Sequence, residues 1–462
     1  MPGRSEARQG DLTQGPILRT LVMFAIPMLF SNAMHALNGS INAIWVGRLI
    51  GENALAATTT ANIVMALLFA AIFGFGLAMT VRVGQHFGAR DIDAARRAFG
   101  SGIGFCSILA VTIGALGWIF SPALLNLLST PEGSIDQALA YMRVIFITMP
   151  FSTVSLTIGM GLRGSGDSQT SFYSICLMLF LDIVLNPLLI RGLGPVPGLG
   201  IAGSALASGL AGLGGLLLVL YRIYRRDLPL RLRGAELRYL KPRRDELSHM
   251  LGKGLPMGGQ LLLVASAQLV VIGLVNREGV DSTAAYGASI QLWNYLQMPA
   301  IAISSTLSAM VAQNIGAGLH DRVRAITRVG MLCNLALTGI LAGLLTVFAG
   351  PLLALFLGND STALPVARHI QHIVPWSFII MGAMVVLNGT LRSYGIVILP
   401  MILQAIALYP VRLGFYFGTY PLIGSDALWW SFPVGSAVSM VLIWRLYTRG
   451  RWRQRLVQTC AG

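Results

Sequence analysis

The chain has 462 residues, 55% of them apolar and 11% charged, and its mean hydropathy is +0.70. Soluble domains carry about 25% charged residues, so this composition excludes an ordinary soluble enzyme or binding module and points to helices in a bilayer. The formal net charge of +15 would suit a nucleic-acid partner, but the basic residues are confined to particular loops, which is a membrane-topology pattern; no nucleic acid is expected as partner.

In chain order, the first twenty residues mix Arg4, Glu6, Arg8, Asp11 and Arg19 and lack the apolar core and cleavage site of a secretory signal. Twelve apolar stretches of spanning length follow, near 18–46, 53–81, 98–123, 138–161, 169–190, 199–223, 250–275, 283–311, 325–349, 366–390, 396–418 and 427–447. Many exceed one crossing, which implies tilt or bends. Pro27, Pro150, Pro256, Pro299 and Pro410 fall inside stretches and are expected to kink or locally unwind them. The 53 glycines suit close helix packing in lipid. Cys106, Cys176 and Cys333 lie in apolar stretches and Cys460 in the tail, so no disulfide framework is implied.

Basic residues collect on alternate loops. The link Arg222 to Glu246 holds Arg222, Arg225, Arg226, Arg231, Arg233, Arg238, Lys241, Arg243 and Arg244. Arg82, Arg90, Arg96 and Arg97 follow the second stretch, and Arg322, Arg324 and Arg328 follow the eighth. Arg445, Arg449, Arg451, Arg453 and Arg455 fill the C-terminal tail. The intervening loops, such as Thr130 to Gln137 and Gly358 to Ser361, are poor in Lys and Arg. The positive-inside rule then predicts an inner (plasma) membrane protein with both termini cytoplasmic.

The sequence repeats itself at half its length. Val83-Gly-Gln-His-Phe-Gly-Ala-Arg-Asp-Ile-Asp-Ala-Ala-Arg96 aligns with Val311-Ala-Gln-Asn-Ile-Gly-Ala-Gly-Leu-His-Asp-Arg-Val-Arg324. Leu162-Arg-Gly-Ser-Gly166 echoes Leu391-Arg-Ser-Tyr-Gly395, and Ala25-Ile-Pro-Met28 echoes Gly254-Leu-Pro-Met257. Six spans per copy make the halves parallel, an arrangement in which transporters bind substrate at the repeat interface and rock one half against the other. The expected organisation is an N-terminal six-helix lobe (1–221), a basic cytoplasmic linker (222–246) and a C-terminal six-helix lobe (247–462). The repeat also tests His86-x4-Asp91, which has the spacing of an acyltransferase motif: the second copy has Asn314 and Leu319 there. A helix-terminus turn with a charged cap is the better reading, and no enzyme is expected. His369 and His372 have metal-like spacing but no third ligand, so solvated interfacial histidines are expected.

Few polar residues lie deep in the apolar stretches. Asp182, in Phe180-Leu-Asp-Ile-Val-Leu-Asn-Pro-Leu-Leu-Ile190, is the only acid well inside one. A carboxylate in hydrocarbon costs several kcal/mol, so such residues face a bundle interior or wet cavity and mark ion pathways. Asn186 is four residues on and shares its helix face. An apolar environment favours the neutral form of a carboxyl group, which suits loading and releasing a proton. His35, Asn38 and Asn42 form a stripe at i, i+3, i+7 in the first stretch, read as a cavity wall facing Asp182, with helix–helix hydrogen bonding as the alternative. His35 is itself a group that titrates near neutral pH. Gln291, Asn294 and Gln297 form a second stripe in the eighth stretch, and Tyr409 and Arg412 lie in the eleventh. These either line a cavity or serve packing, and Arg412 in particular either enters a cavity or snorkels to an interface.

With these features the chain resembles the multidrug and toxic compound extrusion (MATE) family over essentially its whole length, nearer the DinF-like branch. The pieces that carry the resemblance are Ile44-Trp-Val-Gly-Arg-Leu-Ile-Gly51, the two Gln-x-x-Gly-Ala turns, Leu162-Arg-Gly-Ser-Gly-Asp167, Val184-Leu-Asn-Pro-Leu188, Gly200-Ile-Ala-Gly-Ser-Ala205 and Ala427-Leu-Trp-Trp-Ser431. The resemblance implies an all-α membrane protein of twelve helices in two six-helix lobes forming a V. It also implies secondary active export of organic, often cationic compounds by alternating access, driven by H+ or Na+. Several positions depart from the family. Asn42 stands where the branch carries an Asp, and Asp182 and Asn186 reverse its usual Asn-x3-Asp order. Ser208 occupies the place of its Thr, and Met381 and the span-seven residues Gln260 and Gln268 replace acids used by the NorM-like branch.

The implied cation-coupling set is therefore Asp182, Asn186, Asn42 and Ser208, with His35, Asn38, Gln291, Asn294 and Tyr409 as substrate-cavity residues. Sodium needs several oxygen ligands, and this set offers one formal negative charge, which favours H+. No cofactor is expected beyond the coupling ion. The expected partners are small-molecule substrates and membrane lipids, with the chain acting as a monomer. The alternative cargo is a lipid-linked or secreted metabolite, as for a flippase, although the few membrane-embedded charges argue against the strongly cationic cavity such proteins carry.

Overall fold

The computed structural model describes residues 10–127, 132–192 and 197–449. Arg4, Glu6, Arg8, Thr130, Arg451, Arg453, Arg455 and Cys460 lie outside the described residues. Among those described there is no strand. The N-terminal half runs through α1 (Ile17–Leu49), α2 (Glu52–Gly88), α3 (Ile92–Leu127), α4 (Glu132–Gly164), α5 (Gln169–Arg191) and α6 (Gly200–Arg225). A short 3₁₀ helix (Gly234–Leu240) leads to α7 (Arg244–Arg277), α8 (Val280–Gly316), α9 (His320–Val347), α10 (Ala349–Leu357) and α11 (Ala363–Ile373). The chain ends with α12 (Pro375–Ser393), α13 (Ile398–Ile406), a π-helical turn (Ala407–Val411), α14 (Arg412–Ile423) and α15 (Asp426–Arg449).

Among the described residues, eleven helices are long and apolar enough to cross a membrane, or twelve when a bent pair counts as one span. Each apolar stretch of the sequence falls on one of them. The bent pair is α11 with α12, at an angle of 41°. The bend falls at Pro375, whose missing N–H interrupts the hydrogen-bond ladder. The eleventh span is also irregular: Pro410 sits within the π-helical turn that joins α13 to α14.

The chain forms two compact units. The first contains Val22–Gly259 with Ala312–Leu319 and the described residues before Pro16; the second contains Pro16–Leu21, Gln260–Val311 and the described residues from His320 onward. In the first unit α4 is central and touches α2, α3 and α6, while α5 lies along α6. Its apolar core draws on Val46, Ala57, Ala61, Tyr141, Met142, Phe146, Met149 and Ala205. The α5–α6 contact depends on the small residues of α6: a β-carbon on Gly203 would strike the Leu189 carbonyl and one on Gly215 the Met178 side chain. Ser174 Oγ donates to the Gly215 carbonyl at 2.9 Å across the same contact. Such close backbone approach lets dispersion act between helices in lipid.

The basic linker folds onto α3. Arg96 donates through Nε to the Pro229 carbonyl (2.8 Å) and through Nη1 to Glu236 (2.7 Å). Tyr239 is buried, and its hydroxyl donates to Asp93 at 3.1 Å. The turn after α2 is the charged cap that its repeat suggested: Asp91 Oδ1 accepts the backbone N–H of Ala94 at 2.9 Å and starts α3. The two Gln-x-x-Gly copies meet backbone to backbone. A β-carbon on Gly88 would fall on the Gln313 carbonyl, and one on Gly316 on the Gln85 carbonyl. The Gln313 side chain accepts from Leu12 N–H (2.9 Å) and donates to the carbonyls of Gly164 (2.9 Å) and Gly10 (3.1 Å).

In the second unit α12 packs on α9 and α15, and α14 with the π turn packs on α15. Its core is aromatic, built from Tyr286, Trp293, Phe378 and Trp429. The Trp293 indole N–H donates to Gln371 Oε1 at 3.1 Å.

Candidate functional site

The buried face of α5 is Thr170, Ser171, Ser174, Leu179, Asp182, Asn186, Leu189 and Ile190. Helical periodicity therefore turns Asp182 and Asn186 together into the first unit, where both are fully buried. Among the described residues only one other acid is buried, Glu246, and it lies 3.5 Å from the guanidinium of Arg82.

Asp182 Oδ1 accepts a hydrogen bond from Ser208 Oγ at 2.8 Å. Asn186 Nδ2 donates to the main-chain carbonyl of Asp182 at 3.0 Å. That leaves Asp182 Oδ2 and Asn186 Oδ1 as buried acceptors with no donor from the protein. Beside them, Asn42 Oδ1 accepts from Ser204 Oγ at 2.7 Å. The buried Tyr141 of α4 lies near the Asn42 side chain and within electrostatic reach of Asp182. The close α5–α6 approach is what delivers both serines: Ser204 and Ser208 are one turn apart on the α6 face between α1 and α5.

The four residues expected to couple a cation are thus gathered on α1, α5 and α6 of the first unit. Two further groups belong to the constellation. Ser204 was readable as the i−4 neighbour of Ser208 on one helix face. Tyr141 gave no signal, because one tyrosine in an apolar stretch is indistinguishable from packing. What the arrangement can do follows from its donors and acceptors. Ionised Asp182 holds one hydroxyl donor; protonated Asp182 also becomes a donor beside the open acceptor Asn186 Oδ1.

The expected substrate-cavity residues divide between the units. His35 is exposed on α1 and Asn38 is half-buried, and neither is hydrogen-bonded to Asp182. In the second unit Gln291 and Asn294 are exposed on α8. Tyr409 lies in the π-helical turn, its hydroxyl 2.6 Å from Ser266 Oγ of α7, and Gln260 hydrogen-bonds Gln404. His369 Nε2 lies 2.9 Å from Asp426 Oδ1, and His372 is exposed.

Residues 27–188 and 256–417 each match the MatE family model, the same two copies that the internal repeat defines. The chain is 32% identical over 433 residues to the probable multidrug resistance protein YoeA of Bacillus subtilis (strain 168), covering 93% of each. It is 26% identical over 383 residues to a FAD transporter of Shewanella oneidensis, covering 83% of this chain and 84% of that one. The fold matches the outward-facing conformation of a multidrug resistance MATE family transporter with a TM-score of 0.86 at 20% identity, over 98% of this chain and 99% of the other.

Proposed function

The chain belongs to the MatE family of integral membrane transporters, and on that premise we propose that it exports amphipathic small molecules, often cationic, in exchange for protons. Members of this family are transporters rather than enzymes, and the multidrug resistance name of the relative YoeA supports drug-like cargo. The observation that carries the choice of ion is the state of Asp182: one oxygen is held by Ser208 and the other is buried with no donor, on the helix face that also carries the unpartnered Asn186 Oδ1. A proton on the second oxygen turns one of two buried, unpartnered acceptors into a donor. Sodium would meet one formal charge and two unengaged oxygens, Asp182 Oδ2 and Asn186 Oδ1, fewer than the several oxygen ligands a bare cation needs, which favours the proton.

In the proposed cycle Asp182 takes a proton from outside and releases it to the cytoplasm. Loading weakens the Ser208 bond, because a charged acceptor is the stronger partner. The change in the network of α1, α5 and α6 favours one arrangement of the transporter over another, and substrate leaves on the return. The basic loops support an inner-membrane location with both termini cytoplasmic. The chain is proposed to act as a monomer among lipids, with no cofactor beyond the ion.

Asp182→Asn tests the assignment. Reconstituted in proteoliposomes with an imposed pH gradient and a panel of cationic dyes, the variant should insert and fold yet lose gradient-driven efflux, while a sodium gradient alone should drive no efflux in the unsubstituted protein. Undiminished efflux by Asp182→Asn would remove Asp182 from the mechanism. A second reading, export of one secreted metabolite, is favoured by the FAD transporter among the relatives. A cargo range limited to one compound in the same assay would select it.

A further inference from the structure

The second unit holds a buried cation that the coupling scheme does not use. Arg412 opens α14 near the middle of the apolar span Ile398–Ile423, and only 9% of it is exposed. It neither snorkels to an interface nor pairs with an acid: no salt bridge among the described residues includes it. Glu278 instead accepts from the Tyr416 hydroxyl, one turn further along α14. The guanidinium carbon sits 3.5 Å above the ring centroid of Phe432, Nε donates to Ser431 Oγ at 3.3 Å, and Nη2 is buried with no acceptor.

The surroundings are aromatic. Phe432 lies 5.6 Å from Trp293, which lies 5.7 Å from Tyr286, which in turn lies 6.0 Å from Trp429. The π-helical turn ends on the residue before Arg412. Such turns widen a helix, re-aim the next side chain and recur at functional sites. An arginine clamped on a ring with Nη2 unpartnered keeps a charged donor for an anion.

We infer that Arg412, through its unpartnered Nη2 beside Ser431 and the Phe432 ring, binds an anionic group, carboxylate or phosphate, of a transported molecule. The inference rests on the chain being an exporter and extends its cargo to amphipaths that carry a negative group. It does not depend on Asp182.

The test uses full-length protein in phosphatidylcholine nanodiscs without any gradient, and two fluorescent probes that differ by one phosphate: flavin mononucleotide and riboflavin. A charge-assisted hydrogen-bond pair predicts that the phosphorylated probe binds about tenfold more tightly or better. Arg412→Gln should lose this preference and Arg412→Lys should keep part of it, with monodisperse elution as the folding check. Equal affinities of the unsubstituted protein for the two probes overturn the inference whether or not the variants fold, as does an unaltered preference in Arg412→Gln. Discs containing phosphatidylglycerol identify the source of the anion. An unchanged preference there keeps the site for cargo; its abolition by the anionic lipid assigns the site to a headgroup and overturns the cargo assignment. Asp182→Asn should retain the preference, so failure of proton coupling and failure of this site are separately visible.

Discussion

Removing the Ser208 hydroxyl isolates the interaction that sets the state of Asp182. Ser208→Ala deletes the donor 2.8 Å from Asp182 Oδ1 and leaves both carboxylate oxygens without a side-chain partner, since Asn186 Nδ2 is engaged with the main-chain carbonyl. A hydrogen bond to a charged acceptor contributes about 1.5–3 kcal/mol, and leaving such a buried acceptor bare forfeits it. That is roughly ten- to a hundredfold in the population of the ionised state. A cycle that must visit this state should slow by a similar factor. The assay is the initial rate of dye efflux from proteoliposomes at fixed pH gradient, normalised to inserted protein. Ser208→Thr keeps a hydroxyl at the same place and should restore most of the rate. Wild-type rates in Ser208→Ala would show that the bond is incidental to transport. Equal loss in Ser208→Thr would show that side-chain volume, not the hydrogen bond, is what matters there.

Other outcomes follow from the same structure. Gly316→Ala drives a methyl into the Gln85 carbonyl and should cost about 1–3 kcal/mol by overpacking. Gly343→Ala, in α9 with open space around it, should be neutral or stabilising; thermal unfolding in detergent compares them, and equal midpoints refute the contact. Gly104→Leu should unseat the linker, because its first side-chain carbon already meets the Leu240 carbonyl; trypsin cleavage within the basic 222–246 segment should accelerate. Glu236→Gln keeps an acceptor oxygen and gives up the charge of a partly exposed ion pair, so it should accelerate cleavage far less than Gly104→Leu. A membrane-permeant maleimide should label the half-buried Cys176 and Cys333 in folded protein and spare the buried Cys106, with mass spectrometry of peptides as the readout. Labelling of Cys106 at a comparable rate would contradict the packing of α3.

The parts legible in the sequence are those that repeat locally. Asp182 and Asn186 share a face because any helix puts residues four apart on one side, and the buried face of α5 includes both. The repeat identified Gln85 and Gln313 as equivalent, but it did not show that their glycines let the two backbones touch. The stripe His35, Asn38, Asn42 has the right period, yet its members part ways: Asn42 is drawn into the network by Ser204, while His35 is exposed. The linker reads as a solvated basic run, and it is seated by Arg96, Glu236 and Tyr239, whose partnerships span well over a hundred residues of sequence.

Sequence by itself determined the class, the spans, the repeat and which acid lies deep in a span, because hydropathy, periodicity and the rarity of charge in lipid act residue by residue. Tertiary structure alone decided partners. Ser208 rather than His35 holds Asp182, Ser204 holds Asn42, and Arg412 is folded against an aromatic ring rather than reaching for an interface. Those choices depend on which helix faces approach closely, and that is set by small residues such as Gly203 and Gly215 acting together across helices, a sum over distant positions that no local pattern contains.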